Sequence, residues 1–240
     1  MHLNNYENRH ELLINWIIES TPKGASILDI GANDGSFCLE VQRIAAHAGV
    51  YAGVDPDVEK LARHPFLQKR FPATLEAADI PPNSFDCVFA IYVLEHVAND
   101  QGFMQAVARV LKPGGSFYFI TPNGDHYFAA IDGTLARIGL QERVLRMIRP
   151  SELVGKYHYP ALYRLNTASK LCRMGKTLGL GGTAFRYSEH FDEFACYFPG
   201  PTKIFPWAWE KMVEASGNER LLGNLMGRMT KNPLPELTTT

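Results

Sequence analysis

Short apolar runs alternate with longer amphipathic stretches along the first half of the chain. The apolar runs predict β-strands at 25–30, 50–54, 73–78, 86–93 and 116–121. The amphipathic stretches predict helices at 6–20, 35–48, 58–70 and 102–111. Strands of about six residues separated by helices of about twelve are typical of a parallel sheet covered on both faces. Because crossovers between parallel strands are right-handed, we expect a doubly wound α/β fold.

The regular alternation stops after Pro122, and aromatic residues become frequent. A helix is predicted at 166–178 and a strand at 181–187. The segment 220–230 contains two glycines and is compatible with either a strand or a helix. We expect one domain over 1–240, with a core at 25–123 and a substrate cap formed by 124–165 and 190–219.

Composition narrows the class of protein. Apolar residues make up 46% of the 240 residues and charged residues 20%, which predicts a packed core and argues against disorder. The net charge of −1 argues against a protein that holds a phosphate backbone by bulk charge. No apolar run is long enough to span a membrane, and the first residues do not resemble a signal peptide. The cysteines are scattered without C-x-x-C spacing, so we expect reduced thiols, a cytoplasmic location and no metal site.

Polar and glycine residues cluster where the predicted strands end. In an open α/β sheet, ligands bind at the carboxyl ends of strands, near the point where the strand order reverses. We therefore expect one crevice lined by the residues that follow the first four strands: Asp29, Gly31 and Gly35, then Asp55, then Asp79, and finally Glu95 and His96.

The first of these loops, ILDIGANDGSF, departs from the dinucleotide-binding pattern. The three positions where that pattern requires glycine hold Gly31, Asn33 and Ser36. This argues against a nicotinamide or flavin dinucleotide, although Gly31 and Gly35 still permit a tight turn. Asp55 comes at the end of the second strand, where a carboxylate can accept both hydroxyls of a ribose. Alternatively, Asp55 caps the helix predicted at 58–70.

Four segments in this order resemble the class I S-adenosylmethionine-dependent methyltransferases, in the broad ubiquinone/menaquinone-type ("type 11") group. They are ILDIGANDGSF, YAGVDPD, AADIPPNSFDCVFAIYVLEHV and VARVLKPGGSFYFITPN, and together they cover 25–123. The resemblance implies a mostly parallel, seven-stranded, Rossmann-like sheet with an aromatic-rich helical cap after the fifth strand. It also implies an enzyme that uses S-adenosyl-L-methionine and releases S-adenosyl-L-homocysteine.

The same resemblance implies the residues that bind this cofactor. Asp29 faces the amino end of the methionine, and Asp55 accepts the ribose hydroxyls. Asp79 accepts from the adenine amine, and Ile80 covers the ring. The loop around the methionine and ribose is formed by Gly31, Ala32, Asn33 and Gly35. Pro56 packs near the adenine. The floor below the sulfonium is formed by Ile91, Tyr92 and Val93.

The catalytic residues are less sharply indicated. His96 can act as a base on the acceptor or can serve only as a helix cap. The cap supplies further candidates, which can equally be packing residues: His126, Tyr127, His158, Tyr159, Tyr163 and His190. Residues 157–180 also resemble bacterial methyltransferases that act on glycans or secondary metabolites. The segment KIFPWAW at 203–209 is compatible with contact at a membrane surface.

The predicted activity is direct in-line methyl transfer to a small molecule: a secondary metabolite, a glycan or a lipid-linked precursor. Three alternatives stay open. A nucleic-acid methyltransferase of the same fold is disfavoured by the charge, and a dinucleotide oxidoreductase is disfavoured by Asn33 and Ser36. The third is a non-catalytic partner subunit that keeps the fold.

Overall fold

The structure is a computed structural model that describes residues 9–137, 139, 161–188, 198 and 200–233. Its strands are β1 (Ser26–Ile30), β2 (Val50–Val54), β3 (Lys69–Phe71), β4 (Phe85–Ile91), β5 (Leu111–Pro122), β6 (Leu180–Ser188) and β7 (Asn224–Lys231). Its α-helices in the described part of the chain are α1 (Arg9–Ser20), α2 (Val41–His47), α3 (Val58–Arg63), α4 (Asp100–Val110), α5 (Tyr127–Arg137), α6 (Ala168–Thr177) and α7 (Ile204–Ser216).

The strands form one seven-stranded sheet in the order β3-β2-β1-β4-β5-β7-β6. The first five strands pair in parallel, whereas β7 lies antiparallel between β5 and β6. The strand order reverses between β1 and β4, so a crevice is expected where these two strands end. The predicted doubly wound, mostly parallel fold is confirmed.

Side chains of β1 alternate between two apolar cores, one on each face of the sheet. Leu28 and Ile30 pack in the core that includes α4, whereas Ile27 packs in the core that includes α1 and α2. Asp29 lies on the same face as Ile27, because alternate residues of a strand point to the same side. The sequence thus places a carboxyl group inside the apolar layer under α1.

The third strand is shorter and earlier than predicted. It spans Lys69–Phe71, and the predicted strand at 73–78 consists of turns instead. The predicted helix at 58–70 is also wrong in its second half, because α3 ends at Arg63. His64 has an extended backbone with ψ 118°, as the following Pro65 favours. The chain can therefore enter β3 within the segment predicted as helix.

The segment 220–230 adopts the strand alternative. Its central glycine, Gly227, lies beside the ring of Phe119 on β5, and a Cβ at this position would come within 2.2 Å of the Phe119 Cζ. The glycine therefore makes room for a buried ring between neighbouring strands.

None of the helices in the described residues combines the length and the apolar composition needed to cross a bilayer. The first turns of α7 nevertheless expose Ile204, Phe205 and Trp207. These residues belong to the segment for which membrane contact was considered, and that contact stays a prediction.

Candidate active site

The loop after β1 turns sharply through three left-handed residues. Gly31, Asn33 and Gly35 have φ values of 74°, 49° and 74°. Asparagine is among the residues that tolerate this region best, which explains how Asn33 can occupy a left-handed position of this loop. A Cβ on Gly31 would lie 2.5 Å from Cγ2 of Val93, so the loop after β1 closely approaches the chain after β4. The structure thereby brings together two of the predicted segments.

Asp55 lies directly after β2, as predicted, and is buried. One of its carboxylate oxygens accepts from the Asn33 backbone N–H at 2.9 Å and the other accepts from the Asp57 N–H at 2.7 Å. The residue that caps α3 is Asp57, which accepts from the Lys60 N–H. The capping alternative for Asp55 is therefore wrong. Because a carboxylate has about four lone-pair sites, both Asp55 oxygens retain capacity for ribose hydroxyls.

Asp29 is held inside the apolar layer by a tyrosine that sequence reasoning missed. The Tyr51 hydroxyl donates to the Asp29 carboxylate at 2.7 Å, and both side chains are buried. Burial raises the pKa of Asp29 to about 8; the Tyr51 hydrogen bond opposes this rise and the nearby Asp55 charge adds to it. A carboxyl in this state gains stability when a cation approaches. The sequence does not indicate the pairing of Tyr51 with Asp29, because tyrosine is a common residue in apolar strands.

Tyr92 comes directly after β4, in the segment that is predicted to form the floor below the sulfonium. This residue has φ 53°, which is unusual for a large side chain and is typical of functional sites. Its N–H donates to the Ile120 carbonyl and its hydroxyl donates to Asn224, both at 2.9 Å. The neighbouring Ile91 and Val93 are half-buried. Hydrogen bonds at both ends fix Tyr92 despite its strained backbone.

Glu95 connects this floor to the cap. The Leu162 and Tyr163 N–H groups donate to its carbonyl at 2.6 and 3.1 Å. Its buried carboxyl accepts from the Thr121 hydroxyl at 3.0 Å. The following residue, His96, ends a short 3₁₀ turn and is half-buried. The structure thus brings two predicted catalytic candidates, His96 and Tyr163, to one turn.

The Glu95 carboxyl belongs to a buried polar chain. Asn166 donates to the Thr121 hydroxyl oxygen at 2.6 Å, and Thr121 donates in turn to Glu95. Burial raises the pKa of Glu95 to about 7, although its backbone N–H and Thr121 oppose the rise. Sequence reasoning placed Glu95 after the fourth strand but assigned it no role.

Asp79 and Ile80 lie on the segment between β3 and β4, and their contact with adenine stays a prediction. Ile80 lines a cavity together with the first residues of β1, β2 and β4 and with both ends of β3: Ser26, Val50, Phe85, Lys69 and Phe71. Its carbonyl also accepts from Arg109, at the end of α4 that leads into β5. Ile80 therefore lies at the amino edge of the sheet, and the exposed Asp79 adjoins it.

The remaining predicted residues fall into three groups. Ala32 is buried beside Gly53 in the loop after β1, and Pro56 is exposed after β2. His126 is buried in an aromatic cluster, with its ring centroid 4.3 Å from Tyr127 and 5.6 Å from Trp209. His158, Tyr159 and His190 lie outside the described residues.

Comparison with known proteins decides the family. The sequence model described as "Methyltransferase domain" matches residues 4–180. The chain belongs to the methyltransferase-domain family. The matched range contains the site residues described above from Asp29 to Asn166, whereas Asn224, the first residue of β7, lies outside it.

Two curated relatives of this methyltransferase are ubiquinone biosynthesis O-methyltransferases. The mitochondrial protein of Mus musculus is 37% identical over 111 residues, covering 42% of this chain and 29% of the relative. The protein of Paracidovorax citrulli is 30% identical over 158 residues, covering 59% of this chain and 65% of the relative. The matched region thus spans less than two thirds of either relative.

Solved structures show the same fold. Phosphoethanolamine N-methyltransferase 2 of Haemonchus contortus, in complex with S-adenosyl-L-methionine, has a TM-score of 0.58 at 18% identity, covering 95% of this chain and 53% of its own. The [4+2]-cyclase SpnF has a TM-score of 0.57 at 15% identity, covering 93% of this chain and 82% of its own. At this identity the likeness shows the fold alone.

The residues of this methyltransferase fit S-adenosylmethionine, the cofactor of the family. The buried Asp29 carboxyl suits an ammonium group, because a cation would offset the cost of its burial. Asp55 offers acceptors for two hydroxyls. The loop between them contains Asn33 rather than a third glycine, and the cofactor has no phosphate that would require a glycine-rich anion site.

Proposed function

We propose that this chain binds S-adenosylmethionine at the carboxyl ends of β1, β2 and β4 and transfers its methyl group to a small molecule. The observation that carries the proposal is the loop after β1. It is fixed by its left-handed residues and by the Asp55 carboxylate, and it closely approaches Val93. The bound cofactor supplies a methyl group activated by a positively charged sulfur. The protein's task is then to orient the acceptor and exclude water.

Each side chain has a distinct part in the proposed reaction. Asp29 pairs with the ammonium end of the cofactor, and Asp55 accepts from its ribose. Tyr92 and its neighbours Ile91 and Val93 form the apolar floor that keeps water from the reacting atoms. Positioning of this kind requires rigid supports, and Tyr92 is hydrogen-bonded at its backbone and at its hydroxyl.

The acceptor atom is proposed to be a hydroxyl oxygen. The two curated relatives are O-methyltransferases by name. A hydroxyl must lose its proton during transfer, so a base near the floor is useful. His96 is half-buried on the turn after β4, and the Tyr163 N–H donates to the carbonyl of the preceding residue, Glu95. We therefore assign proton removal to His96 and contact with the acceptor to Tyr163.

The cofactor assignment is tested by thermal denaturation with added ligand. S-adenosylhomocysteine is expected to raise the melting temperature progressively as its concentration exceeds the dissociation constant. NAD is the matched control, because it also carries an adenosine but requires a phosphate-binding loop. Equal stabilisation by NAD would contradict the assignment.

The acceptor assignment is tested by single substitutions with labelled cofactor and a panel of hydroxylated aromatic acids and catechols. His96→Asn and Tyr163→Phe are each expected to reduce turnover by about tenfold or more, equivalent to about 1.4 kcal/mol in the barrier. The affinity for S-adenosylhomocysteine should stay within about twofold. His126→Asn is the control from the aromatic cluster, and His158→Asn and Tyr159→Phe extend the test to the other predicted residues. If only these three reduce turnover, the acceptor site lies elsewhere in the cap.

A further inference from the structure

Three side chains with different donor atoms converge where the start of α1 meets the segment before α2. They are His10, Cys38 and Glu40, and their ligand-capable nitrogen, sulfur and oxygen atoms all lie within 4.8 Å of one another. The Cys38 thiol donates to the Glu40 carboxylate at 3.3 Å. None of the three is among the residues assigned to the methyl-transfer site.

We propose that His10, Cys38 and Glu40 form a binding site for a divalent cation of the Zn²⁺ type. Zn²⁺ is bound in proteins by imidazole nitrogen, thiolate sulfur and carboxylate oxygen. Metal–ligand distances of about 2.0–2.3 Å in a tetrahedron place neighbouring ligand atoms about 3.5 Å apart. The sulfur–oxygen distance of 3.3 Å already matches this spacing. The His10 nitrogen lies within 4.8 Å of both of these atoms, and the fourth position is left for water.

Cation binding changes the protonation of the cluster, because a thiol that coordinates a cation is deprotonated. On binding, the Cys38 S–H bond breaks, its electron pair forms the sulfur–metal bond and the proton passes to solvent.

The location indicates what a cation would do there. The His10 ring lies 5.4 Å from the Phe37 ring and 5.9 Å from the Tyr92 ring, between centroids. A cation held by His10, Cys38 and Glu40 would therefore fasten α1 to the loop after β1 beside the Tyr92 floor. The sequence predicts no such site, because His10 lies far along the chain from Cys38 and Glu40 and only the fold brings them together.

Cobalt titration of the full chain, after treatment with a chelator, tests the site directly. Co²⁺ is expected to bind at one equivalent with a thiolate-to-cobalt charge-transfer absorption, and Zn²⁺ should displace it. Cys38→Ser should abolish the absorption. Cys172→Ser is the matched control, because Cys172 is a free cysteine outside the cluster, and this variant should retain the full signal.

Two further variants keep the test decisive if Cys38→Ser does not fold. Glu40→Gln and His10→Gln should each weaken Co²⁺ binding by about tenfold or more, since each removes one of three ligands. No absorption in the unaltered chain, an undiminished signal in Cys38→Ser, or unchanged affinity in both other variants would overturn the proposal. Binding of S-adenosylhomocysteine is measured separately, so failure here leaves the methyltransferase assignment standing.

Discussion

The loops after β1 and β2 and the cap after β5 keep their shapes in different ways. The loops depend on backbone geometry, namely the left-handed Gly31 and Gly35 and the Asp55 carboxylate that accepts from backbone N–H groups. The described cap depends on packed rings, such as Tyr127 and Trp209 with centroids 5.1 Å apart. Backbone geometry requires particular residue types at fixed spacing, whereas rings can be exchanged for others of similar volume. Short motifs therefore reveal the loops after β1 and β2 and not the cap.

The largest expected effect comes from Gly31→Ala, which directly alters the backbone geometry of the loop after β1. The new Cβ would lie 2.5 Å from Val93 Cγ2 and would impose an L side chain at φ 74°. The loop or the Val93 side chain must shift, and a misplacement of about 1 Å in a site can cost about 100-fold in rate. We expect turnover to fall by about that factor and S-adenosylhomocysteine affinity, measured by calorimetry, to fall with it.

Gly114→Ala separates the steric contact from the backbone cost. Gly114 has φ 79°, and a Cβ there would meet nothing within 4 Å. This variant should lose about 1–2 kcal/mol of stability, because it places alanine in the left-handed region, and should keep its cofactor affinity. Val93→Ala should partly restore affinity in the Gly31→Ala background. Equal loss of affinity in both glycine variants would show that the close approach to Val93 is unimportant.

Asp55→Ala is expected to have the next largest effect. It removes the charged acceptor that we propose for the ribose hydroxyls and should weaken S-adenosylhomocysteine binding by about 1.5–3 kcal/mol. The control is Asp57→Ala, which removes the cap of α3 and should cost about 1 kcal/mol of stability with unchanged affinity. If the two variants behave alike, Asp55 serves only to hold the loop.

Sequence reasoning succeeded where the signal is local. Periodicity predicted β1, β2, β4 and β5 near their observed positions, and motif spacing placed Gly31, Gly35 and Asp55 together. It failed at β3, where the strand has only three residues and Pro65 ends the preceding helix early. Short edge strands carry little periodicity, so their ends are poorly defined by pattern. It also missed Tyr51 and His10, whose roles arise from contacts between distant segments.

A smaller effect is expected on the pH dependence of the free energy of unfolding, through the protonation of Asp29. The pKa of Asp29 is raised from 3.8 to about 8 in the folded chain, so folding retains a proton that the unfolded chain releases. The free energy of unfolding therefore decreases as pH rises from about 4 to about 8, by up to about 1.4 kcal/mol per pH unit for one group.

Asp29 contributes most of the pH dependence between pH 7 and 8. The pKa of Glu95 is raised only to about 7, so Glu95 is half ionised at pH 7 and contributes less than Asp29 in this window, and the pKa values of His10 and His64 are lowered from 6.5. Urea denaturation of the ligand-free chain should show that Asp29→Asn flattens the pH dependence in this window, whereas Glu95→Gln flattens it mainly below pH 7. An unchanged slope in Asp29→Asn would mean that the carboxyl is ionised in the folded protein at pH 7.

The smallest effect is expected for Asp79→Ala, and it tests the placement of the two sheet edges. Asp79 is exposed and precedes Ile80, which lies with the first residues of β1 to β4, whereas Asp55 lies at the opposite, carboxyl edge. The two edges are separated by the length of β2, five residues at about 3.3 Å each, which is beyond the reach of a hydrogen bond. The affinity for S-adenosylhomocysteine should therefore stay within about twofold, a difference of about 0.4 kcal/mol. A tenfold loss in the calorimetric titration that measures Asp55→Ala would show that Asp79 reaches the adenine. In that case the chain after β3 would remain at the carboxyl edge as far as Asp79.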